Sequence, residues 1–258
     1  MVQNTIFIVG GGKFGKKAVQ FAKQENYNII IIDKDPNCYA VQFAELIIKD
    51  IHGLEQNIPK LEKGKILFFQ GNVTENMAIL NSLNPEYIIP VAPVHFLAEL
   101  ILDYLARESI DVNSDGKRVT QIIQDIKPDI LLDSVDSKGV VYLSYAKKDE
   151  VCPDNCSAPP DYCPHLKREK PNTITNYLLK FFNAQKGFDL QKQKREIKII
   201  VESTQLRGGL GGIPGSVVQS ILTKLEQNFR WMKQKNFKLL IATSCNCHGV
   251  INFYKKTS

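Results

Sequence analysis

Five of the six cysteines stand in two short groups, CPDNCSAPPDYCPH at 152–165 and CNCHG at 245–249, a distribution suited to holding a soft metal ion. Cys152, Cys156 and Cys163 have C-x3-C-x6-C spacing in a loop stiffened by Pro153, Pro159, Pro160 and Pro164. A fourth ligand from the second group would complete a four-thiolate set, which suits either tetrahedral zinc or an iron–sulfur cluster. Cys245 and Cys247 are the candidates for that place, while His248 could replace them or carry a proton, and His165 is a further potential ligand. Cys-Pro occurs twice and agrees with some iron–sulfur loops, whereas zinc knuckles use shorter first spacings, so both metals stay open. A redox disulfide such as Cys152 with Cys156 is the competing chemistry. Cys38 stands alone and reads as a buried thiol filling a gap in a core.

A second chemistry is written into residues 5–35, TIFIVGGGKFGKKAVQFAKQENYNIIIIDKD. Gly10, Gly12 and Gly15 follow an apolar strand and open a helix, and Asp33 ends the next strand at about the 20-residue distance of a dinucleotide-binding βαβ unit. Gly10 permits a tight turn, Gly12 lets backbone approach a pyrophosphate, and Gly15 allows close helix packing. The amides of the helix start attract an anion, with Lys13 and Phe14 between the glycines and Lys16 and Lys17 adding basic charge. Asp33 is placed to accept from a ribose 2′-hydroxyl and to repel a 2′-phosphate, which favours NAD over NADP, with Lys34 beside it. His95, in PVAPVH after a strand, is a further candidate for proton transfer.

The stretches IFIVGGGKFGKKAVQFAKQENYNIIIIDKDP, FFQGNVTENMAILNSL and PEYIIPVAP together resemble the nucleotide-binding domain of potassium-transport regulators, the regulator-of-conductance domain. The resemblance ends near residue 100 and implies a bound NAD, NADH or adenine nucleotide. Asn72 stands where that family usually has the aspartate of Gly-Asp, so an amide takes the place of an acidic contact. The three-glycine run is also similar to the dehydrogenase domain of sirohaem synthase, which fits the following strand and acid less well.

These sites need a frame. Strand and helix patterns alternate at the start: strands at 5–9, 28–33, 66–70 and 87–91, with helices at 15–26, 39–46, 75–83 and 96–107. A further helix is expected at 119–126 and a hairpin over DILLDS and GVVYLSYA. Later elements are a helix at 173–184, a strand at 197–203, a helix at 217–231 and strands at 239–243 and 250–254. The expected fold is α/β: a Rossmann-like parallel sheet over residues 1–128 and a smaller, cysteine-rich α+β domain over 129–258. Residues 187–195 read as a mobile connector, and the glycine loop at 207–215 as either a packed turn or an anion site with Arg207.

Composition narrows the function. Hydrophobic residues make up 43% and charged residues 23%, and no apolar run reaches the roughly 18 residues that suggest a membrane span. A pore is therefore excluded and a cytoplasmic location expected. The 33 basic and 27 acidic residues leave a net charge of +6, but the lysines are dispersed and lack the aromatic interleaving of a nucleic-acid module. Two classes follow: a redox enzyme that couples NAD to a small-molecule substrate or protein redox partner, or a non-catalytic nucleotide-responsive regulator whose cysteines hold a structural metal or sense redox state. Either is compatible with a homo-oligomer.

Overall fold

The computed structural model describes residues 4–61, 64–72, 80 and 83–256. It is a mixed α/β fold with two sheet-containing units, the first more parallel than the second. One unit comprises Met1–Tyr104 with Leu210–Ser220, the other Leu105–Gly209 with Ile221–Ser258.

The first unit contains β1 (Thr5–Val9), α1 (Lys13–Gln24), β2 (Asn28–Asp33), β3 (Leu46–Ile48), α2 (Ile51–Asn57), β4 (Ile66–Gln70), β5 (Tyr87–Pro90) and the start of α3 (Phe96–Arg107). Its strands lie in the order β5-β1-β2-β4-β3, all parallel, and the later strand Leu210–Pro214 adds antiparallel to β5 with Ile213 opposite Ile88. Continuous apolar runs are what a sheet covered on both faces requires, and Ile6–Val9, Ile29–Ile32 and Ile66–Phe69 are almost wholly shielded. Each such side chain contributes about 1.5–3 kcal/mol of burial. Helix α1 is amphipathic and buries Gly15, Ala18, Val19, Phe21 and Ala22 at helical spacing. After β4 the chain crosses back to the other side of β1, so the loops after β1 and β5 flank a topological switch point.

The second unit contains β6 (Asn113–Ser114), α4 (Gly116–Ile122), β7 (Leu131–Val135), β8 (Val140–Ser144), β9 (Tyr162–Cys163), β10 (Arg168–Glu169), α5 (Ile174–Phe181), β11 (Gly187–Gln191), β12 (Glu196–Glu202) and β13 (Thr204–Arg207). After β14, the Leu210–Pro214 strand of the first unit, come α6 (Gly215–Glu226), α7 (Phe229–Gln234), β15 (Phe237–Ser244) and β16 (His248–Lys256). The sheet order is β11-β12-β15-β16-β8-β7, with β6 beside β16, and only β12 and β15 run parallel. Ile174 and Leu178 of α5 pack with Val119, Val141, Ile200, Leu240 and Phe253 in one core. The β7–β8 hairpin turns through Gly139 at φ +64°, where a Cβ would stand 2.5 Å from the Phe253 carbonyl oxygen.

Several elements depart from their sequence patterns. The helix expected near 39–46 is a short 3-10 turn at Val41–Phe43 followed by β3, because the Ala40 amide is drawn to the Gly11 carbonyl (2.9 Å) and Leu46–Ile48 extends along β4. The segment expected as a connector is β11, paired along its whole length with β12. Thr204–Arg207 and Leu210–Pro214 are strands where a loop was expected. The helix expected at 217–231 divides into α6 and α7 at Gln227-Asn228, and α4 ends at Ile122, short of the expected 126. The helix expected over 75–83 lies outside the described residues apart from Leu80 and Leu83.

Candidate nucleotide turn and thiol centre

The turn after β1 assigns each glycine a different physical task. Gly10 has φ +109°, and a Cβ there would meet the Ala92 amide nitrogen at 2.7 Å, so the loop after β5 presses against it. A Cβ on Gly15 would stand 2.2 Å from the Gly10 carbonyl oxygen, which fixes the close approach of α1 to the turn. A Cβ on Gly12 would meet nothing within 4 Å. The one glycine that packing does not require thus faces open space at the N-cap of α1, which carries no side-chain cap and no acid in its first turn.

Asp33 holds this turn closed. Its Oδ2 accepts from the Gly11 amide at 2.5 Å and its Oδ1 from the Asp35 amide at 2.9 Å. A carboxylate has about four acceptor positions, so two remain for a ribose diol. Behind it, a Cβ on Gly11 would overlap Cys38 Sγ at 2.2 Å. Burial pushes the Cys38 thiol above the usual cysteine range, as befits an inert packing group. Lys34 and Asn72 are exposed, and Gly71, which precedes Asn72, donates its amide to the Asp33 carbonyl at 3.1 Å. Phe14 is 41% exposed and Lys13 Nζ lies 5.9 Å from its ring centre. His95 uses its carbonyl to receive the Ala98 and Glu99 amides at the start of α3.

The second unit brings its cysteines to the end of the sheet where β8 stops and β15 turns into β16. His248 lies opposite Ser144, and Cys245–Cys247 forms the turn between the two long strands. Helix α5 braces that turn: Ile174 donates its amide to the Asn246 carbonyl (3.2 Å), Thr175 Oγ1 meets Ser244 Oγ (3.0 Å), and a Cβ on Gly249 would crowd Ile174 at 2.9 Å. Thr173 starts the helix by accepting from the Asn176 amide. The proline loop is tied to the same turn by Asn246 Nδ2 donating to the Ala158 carbonyl at 2.8 Å.

The glycine segment contributes to this support. The Gly209 amide and Gln205 Nε2 both donate to the Cys156 carbonyl at 2.8 Å, and a Cβ on Gly208 would stand 2.7 Å from the Asn155 carbonyl oxygen. Gly211 and Gly212 lie in β14, and the Gly215 amide donates to the Glu86 carbonyl at 3.0 Å. Close packing therefore accounts for these glycines.

Each clustered sulfur has a polar neighbour. Cys156 Sγ accepts from the Ala158 amide (3.3 Å), Cys163 Sγ from the Leu166 amide (3.4 Å) and Cys245 Sγ from the Cys247 amide (3.5 Å). The His248 ring lies 3.8 Å from Cys152 Sγ through Nε2 and 3.9 Å from Cys245 Sγ through Nδ1. Cys247 Sγ accepts from Lys170 Nζ at 3.1 Å, and that ammonium also donates to the Pro159 carbonyl. His165 instead donates to the Val151 carbonyl at 3.1 Å. All six cysteines are free thiols. Among the described residues, no three His, Cys, Asp or Glu side chains stand in a metal-ready arrangement, so the sulfurs are neighbours without being convergent.

Electrostatics marks the cluster as strongly coupled. Burial, reinforced by Cys156, Cys163 and Cys245, pushes the Cys152 thiol above the usual range. Burial also raises Cys247, against the opposing pull of Lys170. Desolvation and the Lys170 ammonium hold His248 below the usual histidine range, although part of its surface reaches solvent. Lys170 is only 3% exposed. In the sequence it is one of several lysines in HLKREKPN and carries no signal of this buried position; Cys38 and Ala92 likewise gain their meaning only from the fold.

Two family profiles match consecutive parts of the chain: AF_1314_N, "Uncharacterized protein, N-terminal domain", over residues 6–96, and AF_1314_C, "Uncharacterized protein, C-terminal domain", over residues 97–257. A protein of Archaeoglobus fulgidus, also described as an uncharacterized protein, is 30% identical over 249 residues, covering 96% of this chain and 98% of its own length. The N5-carboxyaminoimidazole ribonucleotide synthase of Staphylococcus saprophyticus is 27% identical over 142 residues, covering 54% of this chain and 36% of that enzyme. No solved structure matches. Among the described residues, no helix is long and apolar enough to cross a membrane. The chain belongs to the AF_1314 family and contains both of its domains.

Proposed function

We propose that this chain is a dinucleotide-binding protein whose first unit is Rossmann-like and holds NAD, and whose second unit carries a cysteine-ligated metal, zinc or iron–sulfur. The observation that carries the reading is the contrast within the turn after β1: Gly10 and Gly15 are demanded by packing, whereas Gly12 faces space that a Cβ would enter. A glycine kept where nothing intramolecular needs it is explained by a ligand that approaches the backbone. The uncapped start of α1 supplies amides for a pyrophosphate, and Asp33, fixed by two amides, presents its remaining acceptors to the ribose.

In the second unit, amide donors on three sulfurs favour thiolates, and metal binding would draw in side chains that now stand as neighbours. Such a metal would supply either a redox centre or a closed structural knot. The residues themselves would bind and orient it, and the proline loop would limit water. The expected location is the cytoplasm.

Calorimetric titration with NADH, NADPH and ATP tests the first half, and tighter NADH than NADPH binding is expected. Failure to bind any of the three refutes it. Metal analysis with an absorption spectrum of anaerobically purified protein tests the second, and absence of metal from every preparation refutes it. Steady NADH oxidation with an added acceptor assigns a redox enzyme. Binding without turnover assigns the nucleotide-responsive regulator, the reading in keeping with the resemblance to potassium-transport regulators and with the use of His95's carbonyl as a helix cap.

A further inference from the structure

We infer that Cys245, together with Cys152, Cys156 and Cys163, forms the ligand set of the metal centre, and that Cys247 stays outside it as the partner of a buried counter-charge, Lys170. This deepens the metal reading and rests on it. The sequence leaves the two cysteines of CNCHG equivalent; their surroundings make them different.

Cys245 shares its environment with the loop cysteines. Its sulfur and that of Cys152 flank the same imidazole, at 3.9 and 3.8 Å from the two nitrogens of His248, so they border one small volume. Cys156, Cys163 and Cys245 each sit in a short turn in which an amide two or three residues downstream points at the sulfur, at 3.3, 3.4 and 3.5 Å. Hydrogen bonds of this kind stabilise the deprotonated sulfur that a metal requires.

Cys247 is placed differently. Its sulfur is buried and meets the Lys170 ammonium at 3.1 Å. That ammonium is anchored by the Pro159 carbonyl, and the Lys170 amide by the Asp161 carbonyl at 2.7 Å. A cation coordinated by this sulfur would lie beside a second cation with little water to screen it. The ammonium has no carboxylate partner among the described residues, yet a buried charge needs compensation. Four thiolates around a divalent ion leave a net charge of −2 by simple addition, and an anionic centre next door provides that compensation. Cys247 then serves through its main chain, by its amide on Cys245 Sγ, and through its sulfur as a contact for Lys170.

The test uses the full chain, stripped of metal under reducing anaerobic conditions and titrated with cobalt(II), whose sulfur-to-metal absorption grows with the number of thiolates bound. Cys247→Ser is expected to bind one cobalt with the wild-type absorption. Cys245→Ser is expected to lose thiolate absorption and to bind at least about tenfold more weakly. Cys245→His guards against misfolding: it should bind cobalt with one thiolate fewer. Loss of thiolate absorption in Cys247→Ser, or its full retention in Cys245→Ser, overturns the assignment while leaving the metal reading intact. A wild-type chain that takes up no cobalt and carries no metal when isolated overturns both.

Discussion

Replacing Gly12 and Gly15 by alanine, one at a time, separates ligand binding from folding within a single turn. At Gly15 the new methyl would stand 2.2 Å from the Gly10 carbonyl oxygen and 3.0 Å from its carbon, both backbone atoms that cannot swing aside. Overpacking of this sort costs about 1–3 kcal/mol, and a clash with backbone belongs at the upper end. At Gly12 the methyl meets no protein atom within 4 Å, so stability should change by less than about 1 kcal/mol. It would, however, occupy the approach to the α1 amides. Loss of one amide bond to a charged phosphate, about 1.5–3 kcal/mol, corresponds to roughly 10- to 150-fold weaker binding. NADH affinity is measured by calorimetry and unfolding by far-UV circular dichroism in urea. The sole tryptophan, Trp231, lies in the second unit and serves as an internal control. Equal destabilisation by the two substitutions, or a Gly12→Ala protein that binds NADH as tightly as the parent, would refute the reasoning.

Three further outcomes are expected. Glu196 is nearly buried between Arg118 and Lys198, with Lys198 Nζ 3.3 Å away. Burial alone would raise its carboxyl, but the two cations outweigh it and hold the group below the usual range. Its stabilisation is therefore present above the unfolded value near pH 4.5 and is lost as pH falls through the lower folded value, so urea midpoints should decline below about pH 4.5. Glu196→Gln, which leaves both cations uncompensated, should cost about 3–5 kcal/mol at pH 7 and flatten that acid limb; an unchanged limb would contradict this. Asp33→Asn exchanges one acceptor of the turn for a donor and removes the repulsion of a 2′-phosphate. About tenfold weaker NADH binding and a narrower preference over NADPH are expected by competition titration, and an unaltered preference would detach Asp33 from the ribose. Gly139→Ala places a methyl 2.5 Å from the Phe253 carbonyl at φ +64°, so Trp231 fluorescence should report a midpoint lowered by about 2–4 kcal/mol; a wild-type midpoint would show that the hairpin can shift.

The first sheet was legible because its chemistry is local. Ile29–Ile32 could only be a doubly covered strand, and glycine spacing located the turn beside it. The segment 39–46 was misread because its helical spacing of apolar residues competes with a tertiary demand: Ala40 and Cys38 are held against Gly11, and Leu46–Ile48 finds an unfilled edge on β4. Gly208 and Gly209 resembled a phosphate loop because glycine signals close approach without naming the partner, which proved to be the cysteine loop. The clustering of cysteines could be read from composition, but the contrast between Cys245 and Cys247 depends on Lys170, seventy-seven positions from Cys247.

The return of Leu210–Pro214 to the first sheet has a consequence for synthesis. A nascent chain that has released only Met1–Tyr104 presents β5 with one margin unpaired, its Ile88 and Glu86 waiting for Ile213 and Gly215. More than a hundred residues, including both sides of the β7–β8 hairpin and the whole proline loop, must leave the ribosome before that margin is covered. During this interval the margin is open to pairing with another nascent chain. Translation order therefore obliges the cysteine loop to emerge before the nucleotide sheet is finished, and a fragment cut at residue 104 would keep its sticky seam permanently.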